Sequence, residues 1–312
     1  MDNFNDIKKR IKSVNDISQM TNAMQLVSSA KMRRSTALHD AMYPFFRLCA
    51  ESMQEITNNS DKIDNPFCTL KQKDQGDVWK IACFVLSGDQ GLAGAYNNNM
   101  VKITEEHVRM KTLENTRKGI ATDYELYVFG KLARDKLIRA GYNVNRDFSF
   151  PITEPTFYQA RKVGTIIRTK FLNHEFDLVY LIYTEMESSI NMVPKVIRLL
   201  PVDMKAVSQV LPENVKDAGI ALRHGAAMSY HPNPVAVFDY LIDSYINAIV
   251  YGAMVEAYES EQSARLTAMK NATDNAEEMM KKLELLSNRA RQARITTELT
   301  EIINGAQQAD NI

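Results

Sequence analysis

Apolar positions at both ends of the chain follow the helical repeat. From Ile7 through Ile11, Val14, Ile17, Met20, Met24 and Val27 they step by threes and fours, which places them on one face at 3.6 residues per turn. The pattern predicts one long helix over about residues 3–58. Asp2 and Asp6 suit the positive end of its dipole. Pro44 lacks an amide hydrogen, so a kink or break is expected near Tyr43. At the other end, Ser229-Tyr-His-Pro-Asn-Pro234 reads as a helix start, with Asn233 as cap and Pro234 at the first helical position. Nothing then stops a helix until about Asn304, which would make a rod of roughly 105 Å at ~1.5 Å per residue. Leu266, Met269, Thr273, Ala276, Met280, Leu283, Ser287, Ala290, Arg294 and Thr297 keep a 3-4 spacing within it. That is a coiled-coil seam whose residues shrink and turn polar toward the C-terminus, as expected where a partner helix ends or the tip enters a different environment.

The middle has another rhythm. Apolar, β-rich runs at Trp79–Leu86, Glu125–Phe129 and Asp177–Tyr183 alternate with helical stretches at about 96–110, 131–140 and 156–173. Such alternation predicts a small parallel sheet covered on both faces. Helix breakers agree with the division. Of the 12 Gly, none precedes Gly76, and of the 9 Pro, only Pro44 precedes Pro66 and none follows Pro234. Three domains result: an N-terminal coiled-coil helix over 1–58, a central α/β domain over 77–205 and a long C-terminal coiled-coil helix over 233–305. Long helices gain little from propensity alone and need a partner surface. The two terminal stripes are therefore expected to pair antiparallel, with the α/β insert at the far end of the pair.

Composition removes several classes of function. With 45% hydrophobic and 24% charged residues the chain is neither disordered nor fibrous, and it contains no run of 18 uncharged apolar residues to span a membrane. The 38 basic residues balance 38 acidic ones, which argues against nucleic acid as a partner. Cys49, Cys68 and Cys83 are odd in number and lack a C-x-x-C pair, so they read as small buried hydrophobes in a reducing compartment. The polar N-terminal residues predict no export or transit segment.

Candidate chemistry is sparse. Ser87-Gly-Asp-Gln-Gly-Leu-Ala-Gly94 follows the first strand and leads into a helix, where a phosphate cradle would sit, but its glycine spacing is G-x-x-G-x-x-G and no G-K-[ST] follows. A tight strand-to-helix turn is the plainer reading. His39, His107, His174, His224 and His231 show no metal-ligand spacing. The carboxylates Asp123, Glu125, Glu185 and Glu187 are scattered, and no G-x-S-x-G occurs. No catalytic, cofactor-binding or metal site is expected. Basic clusters are more suggestive: Lys8, Lys9, Arg10 and Lys12; Lys31, Arg33 and Arg34; Arg289, Arg291 and Arg294. In an antiparallel pair they would form a collar around the shaft, able to dock acidic loops of a partner.

Four stretches together resemble one family, the gamma subunit of the F-type ATP synthase, in its bacterial form. They are Ile7-Lys-Lys-Arg-Ile-Lys-Ser-Val14 with its continuation through Met20-Thr-Asn-Ala-Met24 to Ser29-Ala-Lys-Met-Arg-Arg34; Ser87–Gly94; Tyr183-Thr184 with Leu199-Leu-Pro201; and Ser260–Ala276 with Ile295–Ala306. Asn22 and Thr297 stand where the family often has Lys and Gln, and Arg294 where it has a small residue. The resemblance implies an α+β chain: a long antiparallel coiled coil of the terminal helices with an inserted Rossmann-like α/β domain. It implies a non-catalytic rotor stalk inside a ring of three alpha and three beta subunits. The epsilon subunit and the membrane c-ring are implied at its base, so the chain would meet the cytoplasmic face of the membrane only peripherally. By the same resemblance Arg265, Gln292 and Thr296 match contacts to a beta-subunit loop. Met24, Lys31, Arg33 and Arg34 match a surface that faces a beta subunit's acidic lever. The small tip residues Ala290, Ala293, Thr296, Thr300, Gly305 and Ala306 suit a bearing. Two other classes compete: a nucleotide-dependent enzyme built on the insert, and a static coiled-coil scaffold. Residues 107–124 and 212–220 read as additions relative to shorter relatives.

Overall fold

The structure, a computed structural model, describes residues 4–59, 65–188, 191–203 and 230–309. The elements in order are α1 (Phe4–Asn59), β1 (Val78–Leu86), α2 (Tyr96–Arg117), β2 (Ala121–Phe129), α3 (Lys131–Arg139), α4 (Phe157–Leu172), β3 (Leu178–Met186), β4 (Met192–Leu200) and α5 (Pro234–Ala309). The terminal helices have 56 and 76 residues. Asn233 caps α5 as its position suggests: its Oδ1 accepts from the Ala236 amide at 2.9 Å. Residues 107–124 close α2 and open β2. Most of the expected connection over 206–232, with 212–220 inside it, lies outside the described residues.

Of the kink or break expected near Tyr43, the break does not occur: α1 runs through Pro44. Tertiary packing outweighs the lost amide bond there. Phe46, Cys49, Ala50, Met53 and Ile56 are buried beyond it, and Phe46 stacks on Tyr245 of α5 at 5.5 Å. Before it, Met42 comes within 3.4 Å of where a Cβ on Gly252 would stand, so the glycine admits a close approach of the two helices.

The chain forms two compact units, one of Ala30–Ala264 and one of Met1–Ser29 with Arg265–Ile312. The larger unit is built on a four-stranded sheet of order β2-β1-β3-β4. β1 pairs parallel with both β2 and β3, but β3 pairs antiparallel with β4. The sheet is therefore mixed, not purely parallel as its rhythm suggested. The unexpected strand, Met-Val-Pro-Lys-Val-Ile-Arg-Leu-Leu, carries Pro194 and two cations, a sequence that only an edge position tolerates. The sheet is covered on both faces. Ile81, Cys83, Val85, Leu126, Val128 and Ile182 face α2 and α3. Ala82, Phe84, Leu86, Tyr127, Phe129 and Leu181 face α4 and the unit's portions of α1 and α5. The three cysteines are free thiols, and burial pushes Cys83 up to about 12 and Cys68 up to about 11, consistent with a structural role.

In the smaller unit, α1 and α5 meet through their seam. The hydroxyls of Thr21 and Thr273 lie 2.7 Å apart. Met269 and Ala276 are buried, and Leu266, Thr273, Met280, Leu283, Ser287 and Ala290 are half-buried, as their spacing predicts; Arg294 and Thr297 are exposed. On α1 the expectation fails in part. Ile7 is buried and Ile11, Val14 and Met24 half-buried, but Ile17 is 51% and Met20 61% exposed, and Val27 is exposed as well. After Val14 the buried line continues through Ser18, Thr21, Gln25 and Ser28. It keeps a strict heptad, while the apolar residues drift off it by one position.

Candidate partner-binding surface

The residues expected at partner contacts fall on both units. Lys31, Arg33 and Arg34 belong to the larger unit; Met24, Arg265, Gln292 and Thr296 belong to the smaller. Arg33 and Arg34 are exposed, and Arg34 Nη1 pairs with Glu154 Oε2 at 3.5 Å. Glu154 lies in the loop before α4, with a left-handed backbone (φ 65°). Two cavities flank this pair. One of about 420 Å³ is lined by Lys31, Arg34, Leu38, Phe157, Tyr251 and Tyr258, among others. A neighbouring one of about 230 Å³ includes Lys31, Asp89, Glu154, Glu261 and Gln262. Lys31 thus sits between an aromatic cleft and an acidic one. Met24 is half-buried beside the seam, whereas Arg265 is only 6% exposed. Gln292 and Thr296 are exposed on α5, where Thr296 Oγ1 donates to the Gln292 carbonyl at 3.0 Å. The basic clusters Lys8–Lys12 and Arg289–Arg294 lie in the smaller unit.

The tip departs from the small, weakly polar picture. Ala290, Ala293, Thr296 and Thr300 are there, but exposed Ile295, Leu299, Ile302 and Ile303 interleave with them. Ile295, Leu299 and Ile302 step by four and three, so one side of the tip is strongly apolar. The side chains of Gly305 and Ala306 lie outside the described residues.

A further feature was not legible in the sequence. Glu259, Ser260, Glu261, Gln262 and Ser263 of α5 are all buried. A run of five polar residues on a helix reads as a solvated segment, and no periodicity marks it otherwise. On one side α1 holds this stretch. Ser35 Oγ donates to the Val255 carbonyl at 3.2 Å, the Thr36 hydroxyl donates to the Glu259 carboxylate, and His39 Nε2 lies 3.5 Å from Glu256 Oε1. The Glu256 hydrogen bond, followed in weight by burial acting the other way, holds the His39 pKa above its usual value. On the other side the sheet and α2 hold it. Tyr96 OH donates to the Ala257 carbonyl at 2.9 Å, and Ser260 Oγ donates to the Thr184 carbonyl at 3.1 Å.

The glycine-rich turn belongs to the same contact. A Cβ on Gly88 would lie 2.5 Å from Cδ of Glu261. The space a phosphate would need beside Gly88 holds the chain's own carboxylate. Asp89 closes the turn, its two oxygens accepting from the amides of Lys131 and Ile152, each at 3.0 Å. Two carboxylates at this turn are the opposite of an anion cradle, so the nucleotide-enzyme reading loses its only motif. Among the described residues, no group of three or more His, Cys, Asp or Glu could hold a metal ion, and no helix is long and apolar enough to cross a membrane.

Comparison with known proteins agrees with this arrangement. The family model described as "ATP synthase" matches residues 3–308. The ATP synthase gamma chain of Acetivibrio thermocellus is 38% identical over 307 residues, covering 98% of this chain and 99% of that one. The gamma chain of Acetobacterium woodii, described as sodium ion specific, is 38% identical over 315 residues and 98% of each chain. Among solved structures, a chain of the Euglena gracilis mitochondrial ATP synthase with OSCP, F1 and c-ring superposes with a TM-score of 0.62 at 18% identity. It covers 97% of this chain and 93% of that one, and shares its fold. The chain belongs to the ATP synthase family, and the two relatives described above are gamma chains.

Proposed function

We propose that the chain is the central stalk of a bacterial-type ATP synthase. It stands inside a ring of three alpha and three beta subunits, is joined at its base to the epsilon subunit and the c-ring, and works at the cytoplasmic face of the membrane. The observation that carries the reading is end-to-end similarity to gamma chains at 38% identity, combined with two very long terminal helices that pair through a seam. The chain holds no catalytic site in this reading. A single asymmetric shaft cannot touch three beta subunits alike, so each is biased toward a different nucleotide affinity, and turning the shaft moves the bias round. A partner shifts a conformational equilibrium only through such differential contact.

Met24, Lys31, Arg33, Arg34, Gln292 and Thr296 supply that contact in this reading. Arg265, enclosed by its own chain, supports the surface from behind. The apolar side of the tip, Ile295, Leu299 and Ile302, makes the shaft's two sides unequal. The division into two terminal helices over 1–58 and 233–305 and an α/β domain over 77–205 gives the stalk separate parts for the ring and for the base. Purification of the tagged chain from native membranes tests the assignment. The alpha, beta, epsilon and c subunits are expected to accompany it, and the chain alone is expected to hydrolyse no ATP. Recovery without a nucleotide-binding ring would overturn the assignment.

A further inference from the structure

The grip of the α/β unit on α5 differs from an ordinary helix–sheet contact. Above it, between Phe238 and Tyr251, α5 is tied at its edge by Asn65 to Asp239 and by Arg168 to Asp243, but packs mainly through apolar side chains. Such contacts are non-directional, and one apolar surface loses little when it slides over another. Around residues 255–261 the contact becomes polar and directional. Ser260 is fully buried and bonds to the Thr184 carbonyl, while Ala257 receives the Tyr96 hydroxyl. Glu261, 3% exposed, fills the notch at Gly88. Gly88 does not have a left-handed backbone, so the turn does not itself require glycine there; the Glu261 side chain does. The Gly88 amide is in turn fixed by Asn97 Oδ1 at 2.9 Å, which joins the notch to α2.

At about 100° per residue, positions 257, 260 and 261 fall on one side of α5, and positions 255, 256 and 259 on the other. The first side meets the sheet and α2; the second meets α1. The helix is therefore held at fixed azimuth from two directions. Turning it in place would misalign hydrogen bonds, which weaken steeply with angle, and would strand buried polar groups.

We infer that this belt is a rotational key: Ser260 and Glu261 are positioning residues that fix the azimuth of α5 on the sheet, so that turning of the α/β unit passes into α5 instead of being lost as slip. The inference rests on the rotary reading proposed above and adds the residues that carry the torque within the chain.

Its test uses the assembled complex in membrane vesicles, measuring ions pumped per ATP hydrolysed. Complexes carrying Ser260→Ala with Glu261→Ala are expected to hydrolyse ATP at the parent rate but to pump about threefold fewer ions per ATP, the low end of what mutations within a coupling network produce. Glu261→Gln keeps the shape that fills the notch and is expected to keep the parent ratio. A parent ratio in the double variant overturns the key, as does a Glu261→Gln ratio as low as that of the double variant. Where the double variant does not assemble, Ser260→Ala alone is read in the same way, since it removes one directional bond and almost no volume. Parent vesicles that pump without this chain would instead overturn the rotary reading itself.

Discussion

A Cβ built on Gly164 of α4 would lie 2.1 Å from Oδ1 of Asn247 on α5. With Asn247 in this rotamer, one hydrogen is all position 164 can carry. Asn247 is itself buried, and its Oδ1 has no hydrogen-bond partner among the described residues. Closeness, not bonding, is what this contact supplies. Gly164→Ala therefore forces α4 away from α5 or Asn247 out of its rotamer, at a cost of about 1–3 kcal/mol. The denaturation midpoint of the chain should fall accordingly. Adding Asn247→Ala should recover most of the loss, because the clashing atom goes and no bond goes with it. Midpoints that show no recovery would mean that the helix resents alanine for some reason other than Asn247.

The His39–Glu256 contact makes the larger unit sensitive to pH. Glu256 is the main cause of the raised imidazole pKa; Glu259 and Asp40 add to it, and burial opposes it. The same carboxylate acts electrostatically on Tyr183 of β3: burial first and Glu256 second push its phenol up, so it stays neutral throughout. The sign follows from linkage. A group whose folded pKa exceeds the unfolded value of 6.5 contributes its full stabilisation below 6.5 and loses it as pH rises through the folded value. Stability should therefore decline on the alkaline side of 6.5, and His39→Gln should flatten that decline. An unchanged pH profile in the variant would remove His39 as its source.

The sequence carried the elements further than it carried the contacts. Hydrophobic period and breaker placement located both terminal helices, three of the four strands and the helices between them. What they missed had specific causes. Pro44 is a local signal for a break, and the break lost to the packing of Phe46 and Met53. β4 was hidden by Pro194, which only an edge strand admits. The seam of α1 left the apolar stripe because Thr21 and Ser28, small and able to bond, let the helices close where Ile17 and Met20 would hold them apart. The buried belt was invisible for a deeper reason: Glu259 is met by Thr36, 223 positions away, and Ser260 by Thr184, 76 positions away, and no local pattern reports such partners. The glycine turn was read correctly as a turn, yet the reason for Gly88 lies in Glu261.

Arg33 and Arg34 are exposed and Lys31 is half-buried, and among the described residues Arg34 pairs with Glu154. The Arg34–Glu154 pair is 3.5 Å apart with both side chains largely exposed, and such pairs contribute about 0–1 kcal/mol. Replacing all three by Ala should leave folding and assembly intact. In the proposed stalk, coupled ATP turnover should nevertheless fall, because an acidic partner surface would lose its counter-charges, and high salt should reduce the parent toward the variant. Coupling that is equal in parent and variant at low salt would take these residues out of the contact surface.

The C-terminal seam supplies the sharpest contrast, since Met279 and Met280 are neighbours with opposite surroundings. Met280 is half-buried in the seam, and Met279 is 53% exposed. Proline at 280 removes the amide that would reach back to the carbonyl of Ala276, itself a buried seam residue, and costs about 3 kcal/mol locally. Because proline at 279 would break the same helix, backbone damage alone cannot separate the two sites; alanine can. Met280→Ala removes seam contacts and should lower the stability of the helix pair by more than Met279→Ala, which removes only a solvated side chain. Both alanine complexes should assemble, whereas the Met280→Pro complex should not. If Met280→Pro yields a fully assembled and coupled complex, the seam transmits no load at this level. The pairing of Thr21 with Thr273, seven residues earlier on α5, would then be where the rigid part of the shaft ends.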